Sequence, residues 1–378
     1  MHSPEQLFKL LQQEGIDFFT GVPDSLLKDF CAYVADNTSN GQHVITANEG
    51  NAIALATGHY LGSGSPALVY MQNSGIGNAI NPLTSLADTE VYSIPMLLMI
   101  GWRGEPNIKD EPQHVKQGRI MPQLLESLEI PFYCIDVQSS NIEEIIINAT
   151  KQMYTLKSPV ALLISKGTFE TYKLKSDALP KFSMSREIAI ETIVDLLNER
   201  DLVVSTTGMA SRELYEVREI KKQGHSNDFL TVGGMGHSAS IALGLANAQP
   251  NRRVFCIDGD GSVLMHMGAL GIIGQSNVQN LVHITINNGA HDSVGGQATV
   301  GLDIDLPKVA EACGYSFVRS VDSMGKLKDV LKQVEKNEGP SFIEVKVNKG
   351  ARSNLGRPQS TPKENKDSLM SLLNLKVQ

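Results

Sequence analysis

Strand-like apolar runs alternate with helical patterns along the whole chain. The runs fall at His43–Thr46, Ala67–Met71, Met96–Ile100, Val160–Ile164, Leu202–Ser205, Val254–Ile257, Val282–Ile286 and Phe342–Val347. This rhythm predicts an α/β architecture of parallel sheets flanked by helices. At the N-terminus, MHSPEQLFKLLQQEG has the spacing of an amphipathic helix and not that of a signal peptide.

The pattern occurs twice. A shift of 186 residues lays HVITANEGNAIALATGHYLG over FLTVGGMGHSASIALGLANA without a gap. Gly50 then meets Gly236, Ala56 meets Ala242 and Gly58 meets Gly244. In the same register LVYMQNSG lies over VFCIDGDG, and PMLLMI over LVHITI. One register held this long predicts two domains of the same topology, residues 1–172 and 187–378. Residues 173–186, KLKSDALPKFSMSR, lack periodicity and read as the linker. Two such domains tend to pair about a pseudo-twofold axis, so one elongated cofactor gripped by both is expected.

Composition narrows the function. The chain has 378 residues and a net charge of −8, which offers no general basic field for nucleic acid. An anionic substrate would need a local cationic patch. Four cysteines, Cys31, Cys134, Cys256 and Cys313, are scattered without metal-like spacing and read as buried free thiols of a reducing compartment. No apolar run approaches the roughly 20 residues of a membrane span. A cytoplasmic protein with no membrane or nucleic-acid partner is expected.

The candidate chemistry begins at RRVFCIDGDGSVLMH, residues 252–266. A buried strand there ends in Asp258-Gly259-Asp260-Gly261-Ser262, at the edge of an α/β sheet where ligands bind. Glycines let backbone N–H groups approach a phosphate, but carboxylates repel one, so the combination calls for a cation between them. As a bare acidic turn it would need no ligand. Ser262 to Ile286 then span a helix, a loop and the next strand, which delivers Asn287-Asn288-Gly289-Ala290 beside the turn. Carboxylate, amide oxygen, backbone carbonyl, phosphate oxygens and water make an octahedral Mg²⁺ site. Asp260 would hold the metal, and Gly261-Ser262 would start a helix that supplies N–H donors.

This GDG-x₂₅-NN pattern resembles the diphosphate-binding motif of thiamine-diphosphate enzymes, and TANEGNAIALATGHYL in the first half looks like that family's cofactor-activating region. The resemblance implies the family's fold, with a pyrimidine-binding first domain, a diphosphate-binding second domain and no middle domain. It implies thiamine diphosphate and Mg²⁺ as cofactors. Glu49 matches the glutamate that hydrogen-bonds N1′ of the aminopyrimidine. Asp260 and Asn288 match the side-chain metal ligands, with Asn287 the alternative to Asn288, and Ala290 the backbone-carbonyl ligand. In GGMGHS, Met235 matches the apolar residue that supports the cofactor's bent shape, and Gly233 the carbonyl that receives its 4′-amino group. The implied reaction is carbon–carbon cleavage of a 2-oxo acid, with the cofactor as electron sink. It also implies a homodimer or larger homo-oligomer with active sites between chains.

A closer likeness, to decarboxylases of small anionic 2-oxo acids within that family, is carried by TGVPDSLLKDF, GWRGEPNIKDEPQHVKQGR, NNGAHDSVGGQ and GARSNLGRP. Residues 101–119 follow a strand and concentrate Arg103, Lys109, His114, Lys116 and Arg119 in an acidic protein. Arginine is suited to fork-like pairing with phosphonate or sulfonate oxygens. The competing reading is a solvated loop whose lysines pair with Asp110 and Glu111. His114 lies where related decarboxylases carry an active-site histidine. Asp24 and Ser25 follow a strand end, where Ser25 could cap a helix and bind an anion. His291, beside the metal loop, could relay a proton. Arg352 and Arg357 lie in a late loop that could fold over the site. A non-catalytic regulator that binds the cofactor, and an acyl-transferring enzyme that joins two carbonyl compounds, are the alternatives. Glu49 disfavours the first, because a mere binder needs no acid there.

Overall fold

The computed structural model describes residues 1–39, 41–175 and 181–375. Of the expected linker, residues 176–180 lie outside the described residues. The chain divides into two compact units, Met1–Ser176 and Asp177–Gln378.

In the first unit the elements run α1 (Pro4–Gln13), β1 (Phe18–Gly21), α2 (Lys28–Asn37), β2 (His43–Ile45), α3 (Glu49–Ser63), β3 (Ala67–Gln72), α4 (Ile76–Pro82), β4 (Met96–Gly101), α5 (Pro112–Ser127), β5 (Phe132–Ile135), α6 (Ile142–Leu156) and β6 (Val160–Ile164). The strands form one parallel sheet in the order β2-β1-β3-β4-β6-β5. In the second unit they run α7 (Arg186–Val194), β7 (Leu202–Ser205), α8 (Met209–Lys221), β8 (Asp228–Leu230), α9 (Ser238–Ala248), β9 (Val254–Gly259), α10 (Asp260–Met265), α11 (Gly268–Gly274), β10 (Leu281–Asn287), the hairpin β11 (Ala290–His291) and β12 (Gln297–Ala298), α12 (Leu306–Cys313), β13 (Phe317–Val321), α13 (Met324–Val334), β14 (Ser341–Lys346) and α14 (Pro362–Leu372). The second sheet runs β8-β7-β9-β10-β14-β13. Apart from the inserted hairpin, that is the order of the first sheet. Shifting β4 by 186 residues lands on 282–287, against the observed Leu281–Asn287.

The continuous apolar runs have a simple cause. Each sheet is covered on both faces, so successive side chains are buried whichever way they point. In β3, Leu68 and Tyr70 join one cluster with Leu7, Phe30 and Met153, while Ala67, Val69 and Met71 join another with Ile53, Ile76 and Leu125. The strands that the hydrophobic pattern does not mark are β1, β5, β8 and β13. Three of these are edge strands, and β5 and β13 expose part of their length. Exposure removes the apolar signal in β5 and β13, whereas β1 is buried but brief, with Thr20-Gly21 at its end, and β8 has three residues. The same edge position makes Cys134 exposed, contrary to the expectation of buried thiols, and Cys313 is only half-buried. All four cysteines are free.

The outer edge of β8 is finished by α14. Asn365 accepts a hydrogen bond from the Leu230 N–H (3.0 Å) and donates to the Asp228 carbonyl (2.8 Å), so one side chain stands in for a seventh strand. All three residues are buried. Asn365→Leu leaves a buried donor and acceptor unpaired, at about 1–3 kcal/mol for each. Urea unfolding should show a free energy lower by that amount, read as a midpoint shifted down by the same loss divided by the m value. An unaltered midpoint would mean that water reaches both groups.

Candidate active site

All strands in each sheet run the same way, so their C-terminal ends share one edge and the loops that follow converge there. In the second unit the crevice lies between β7 and β9, where the strand order reverses. The acidic turn opens there. Asp260 is 2% exposed, and burial pushes its carboxyl up to about 6 against the pull of Thr299 and the backbone N–H groups of Asn288 and Gly261. Thr299 donates its hydroxyl to Asp260 Oδ2. A Cβ at Gly301 would sit 2.6 Å from that oxygen and 2.9 Å from Asn287 Oδ1, so the chain returning from the hairpin passes as bare backbone. Asp258 has a structural task. It accepts from the Gly259 N–H (3.0 Å) and lies 3.3 Å from His283 Nε2, which ties the turn to β10. The expected helix is short: α10 covers Asp260–Met265 and ends at His266.

The Asn pair separates by task. Asn287 is fully buried; its amide donates to the Gly301 carbonyl (2.6 Å) and Glu344 Oε1 (2.8 Å) and accepts from the Gly289 N–H (3.1 Å). Asn288 instead lines a cavity of about 100 Å³ together with Asp260, Gly261, Ser262, Ala290, His291 and Met235. Its Oδ1 accepts one N–H, from Ala290 at 3.0 Å, and keeps a second lone pair. A buried carboxylate, a half-used amide oxygen and adjoining backbone are hard oxygen donors suited to Mg²⁺. A divalent cation there would also reverse the penalty that raises the Asp260 carboxyl. Burial lowers the His291 ring to about 4, so it faces this cavity neutral.

The Gly-rich loop after β8 is tied to the same turn. Ser262 Oγ accepts from the Gly236 N–H (3.1 Å) and from Thr206 Oγ1 (3.2 Å), and the Gly233 N–H donates to Thr207 Oγ1 (3.1 Å). Gly233 and Gly236 adopt positive φ (75° and 86°), which places half-buried Met235 on the cavity wall. Ser262 thus holds protein backbone as well as lining the cavity.

In the first unit Glu49 opens α3 after β2, with Asn48 as its N-cap. Its carboxylate is 5% exposed and accepts from Asn78 Nδ2 at 2.8 Å. A Cβ at Gly75 would lie 2.2 Å from Glu49 Oε1, so only glycine leaves room for this carboxylate. Asn78 and Gly75 follow β3, two strands over, beyond β1. The sequence pattern did not single out Asn78.

A second cluster of the first unit gathers behind β1 and β4. Arg103 binds Asp110 with two hydrogen bonds (2.7 Å at Nε) and donates from Nη1 to Ser25 Oγ at 2.7 Å. Ser25 therefore does not cap α2, whose N-cap is Leu27; it receives the guanidinium of a residue 78 positions away. Asn73 fixes the Arg103 backbone, donating to its carbonyl (2.8 Å) and accepting from its N–H (3.2 Å). Burial works against the Asp110 charge, but Arg103 and the N–H groups of Glu111 and Gly104 outweigh it and hold the carboxyl well below its usual range. Asp24 is buried beside them, and its desolvation raises its carboxyl despite the Leu26 N–H and Arg103. His114 is buried near the start of α5, with Nδ1 unpartnered. Burial, then the Arg103 charge, lowers it to about 4. The loop is thus built on an arginine paired with Asp110, while its lysines are exposed as in the solvated-loop reading but without Asp110 as their partner. Lys109, Lys116 and Arg119 are exposed.

The late loop of the second unit is anchored. Arg352 pairs with Glu187 (2.8 Å) and with Glu216, and Arg212 holds the carbonyls of Leu355 and Gly356. Arg357 is exposed. Among the described residues, no helix is long and apolar enough to cross a membrane.

Comparison with known proteins agrees with this division of the chain. The N-terminal TPP binding domain of thiamine pyrophosphate enzymes matches residues 1–125, and the C-terminal TPP binding domain matches residues 206–345. The chain is 36% identical over 365 residues to a phosphonopyruvate decarboxylase of Streptomyces viridochromogenes, covering 93% of this chain and 89% of that protein. It is 33% identical over 369 residues to a phosphonopyruvate decarboxylase of Streptomyces hygroscopicus, covering 93% and 88%. A sulfopyruvate decarboxylase of Methanosarcina acetivorans is 29% identical over 372 residues, covering 92% and 91%.

The buried loop yields a direct test. Followed by NMR in protein without cofactor, the His114 ring should stay neutral as pH falls and gain its proton only at about 4. A midpoint at the ordinary value of 6.5 would mean that water reaches the ring.

Proposed function

This chain belongs to the thiamine pyrophosphate enzymes, and on that premise we propose that it decarboxylates 3-phosphonopyruvate to phosphonoacetaldehyde and CO₂, a step of phosphonate biosynthesis. The observation that carries the substrate is the 36% identity to a phosphonopyruvate decarboxylase along 93% of the chain. Arg103 supports it chemically as a half-buried positive charge beside Ser25, its fork being turned to Asp110 in the protein without substrate. Sulfopyruvate decarboxylation is the second reading, supported by the 29% identity to the Methanosarcina protein.

In this reading residues 1–172 form the pyrimidine-binding domain, 173–186 the linker and 187–378 the diphosphate-binding domain. Bound thiamine diphosphate supplies the electron sink for cleavage of the carboxylate. The residues do the rest. Asp260, Asn288 and the Ala290 carbonyl would hold Mg²⁺, and Gly261 and Ser262 would bind the diphosphate. Gly233 and Met235 receive the ring system from the Gly-rich loop. Glu49 would hold the proton that the aminopyrimidine exchanges, and its bond from Asn78 keeps one carboxylate oxygen fixed. Arg103 orients the phosphonate, with Asp24, Ser25 and Lys109 around it. His114 and His291, both neutral, handle the substrate's protons. Arg352 and Arg357 remain the outer cations of the site. We also propose a homo-oligomer, at least a dimer, whose active sites take Glu49 from one chain and Asp260 from another. A cytoplasmic location is in keeping with four free cysteines.

Two experiments test this. CO₂ release is measured with phosphonopyruvate, sulfopyruvate and pyruvate, each with Mg²⁺ and thiamine diphosphate. Asp260→Ala should lose metal-dependent cofactor binding in calorimetry, whereas Glu49→Gln should bind and not turn over. Mixing these two inactive proteins under subunit exchange should restore about a quarter of wild-type activity, since random assortment gives heterodimers with one intact site. If Asp260→Ala binds as tightly as wild type, the metal assignment is wrong; no recovery despite proven exchange places both residues on one chain.

The second experiment concerns the anion. Arg103→Ala removes a charge-assisted bond worth roughly 1.5–3 kcal/mol. Its kcat/KM should fall about one to two orders of magnitude further for phosphonopyruvate than for pyruvate. Equal losses for both would move the phosphonate pocket elsewhere.

A further inference from the structure

We propose that Asp292 is a positioning residue that sets which atom of the Asn288 amide faces the metal cavity, and that Arg186 and Glu213 hold it in that role. The inference rests on the reading that Asn288 binds the cation.

The geometry is specific. Asn288 Nδ2 donates to Asp292 Oδ2 at 2.7 Å. An ionised carboxylate can only accept, so the amide nitrogen must face Asp292 and the oxygen must face away. That oxygen takes the Ala290 N–H and keeps its second lone pair. Were the amide to turn over, it would present NH₂ to the cavity and repel a cation. Asp292 is prevented from moving by two further donors on the same oxygen. These are Arg186 Nη1 at 2.8 Å and the Gly350 N–H at 2.9 Å.

Arg186 is itself locked. Its Nε and Nη2 grip Glu213 at 2.8 and 3.0 Å, and both side chains are buried. One guanidinium between two carboxylates leaves the group a net negative charge, which favours a nearby cation. The clamp draws on four separate stretches, at 186, 213, 288–292 and 350, so no short motif announces it.

The test uses the full chain and reads metal binding, not turnover. Mg²⁺ is titrated by calorimetry at saturating thiamine diphosphate, and Mn²⁺ alone by electron paramagnetic resonance. Asp292→Leu removes the accepting oxygen, which an asparagine in the same place would restore; it leaves the Arg186–Glu213 pair unsubstituted, and the melting temperature reports on folding. It should weaken metal binding about 10- to 100-fold, as loss of a group supporting a ligand does. Added to Asn288→Ala, it should weaken binding no further. A second double variant separates orientation from structure. Asn288→Asp combined with Asp292→Leu should bind metal near wild-type affinity, because a carboxylate has no nitrogen to misplace. If Asn288→Ala itself binds like wild type, the reading of Asn288 is wrong. If Asn288→Ala is weak while Asp292→Leu is unchanged, or acts equally in both backgrounds, or Asn288→Asp with Asp292→Leu stays weak, the positioning role is overturned.

Discussion

A carboxylate buried at a sheet edge is the constraint from which most of the second unit follows. Asp260 is 2% exposed and its carboxyl is pushed up to about 6, so the protein without ligands carries a group whose ionisation it disfavours. The neighbours soften this with hydrogen bonds from Thr299 and backbone, and none of them is an ammonium or guanidinium. A stable core alone has no use for such a buried carboxyl, which costs desolvation. Its retention makes sense where a cation completes the site. The surroundings are shaped to that end: Gly301 gives way to the carboxylate, Asn287 is spent on fixing the loop, and Asn288 is left with an oxygen lone pair to offer.

The two units show how one topology serves two tasks. Their sheets share a strand order, and in both the ligand-bearing loops leave the same edge. After its second strand the first unit places Glu49, held by Asn78 and admitted by Gly75. The second unit places a Gly-rich loop there, anchored on Ser262 and Thr207. Glycine at 75 and at 261 falls on one repeat position, yet the local reasons differ. In the first unit it makes room for an acid of its own domain; in the second it borders the cavity itself.

Hydrophobic pattern made the centre of each sheet legible, because strands buried on both faces are apolar throughout. It did not reveal β5, β8 and β13, which are edge strands, nor the short internal β1, nor the hairpin of Ala290–His291 with Gln297–Ala298, whose two-residue strands are too short to carry a period. In the site, the residues within one motif were legible: Asp260, the Asn pair, Glu49. Their supports were not. Thr299 is 39 residues from Asp260, Asn78 is 29 from Glu49, and Ser25 is 78 from Arg103. Such contacts are set by which strand ends are neighbours, and only the sheet order supplies that. The cationic loop was legible as a cluster of charge, but its organisation was not. Of the five basic groups Arg103 is drawn in and paired and His114 is buried, while Lys109, Lys116 and Arg119 stay in water.

Charge is distributed between the units in a way that explains the histidines. The second unit presents oxygen donors for a cation, and the first presents a guanidinium already balanced by Asp110. A protonated imidazole near either would upset that balance, repelling the cation in one case and competing for the anion in the other. Burial prevents it, since both His114 and His291 are lowered to about 4. At neutral pH each ring therefore keeps one donor and one acceptor nitrogen. On the proposed reading such a ring would relay a proton from one nitrogen to the other with no change in net charge.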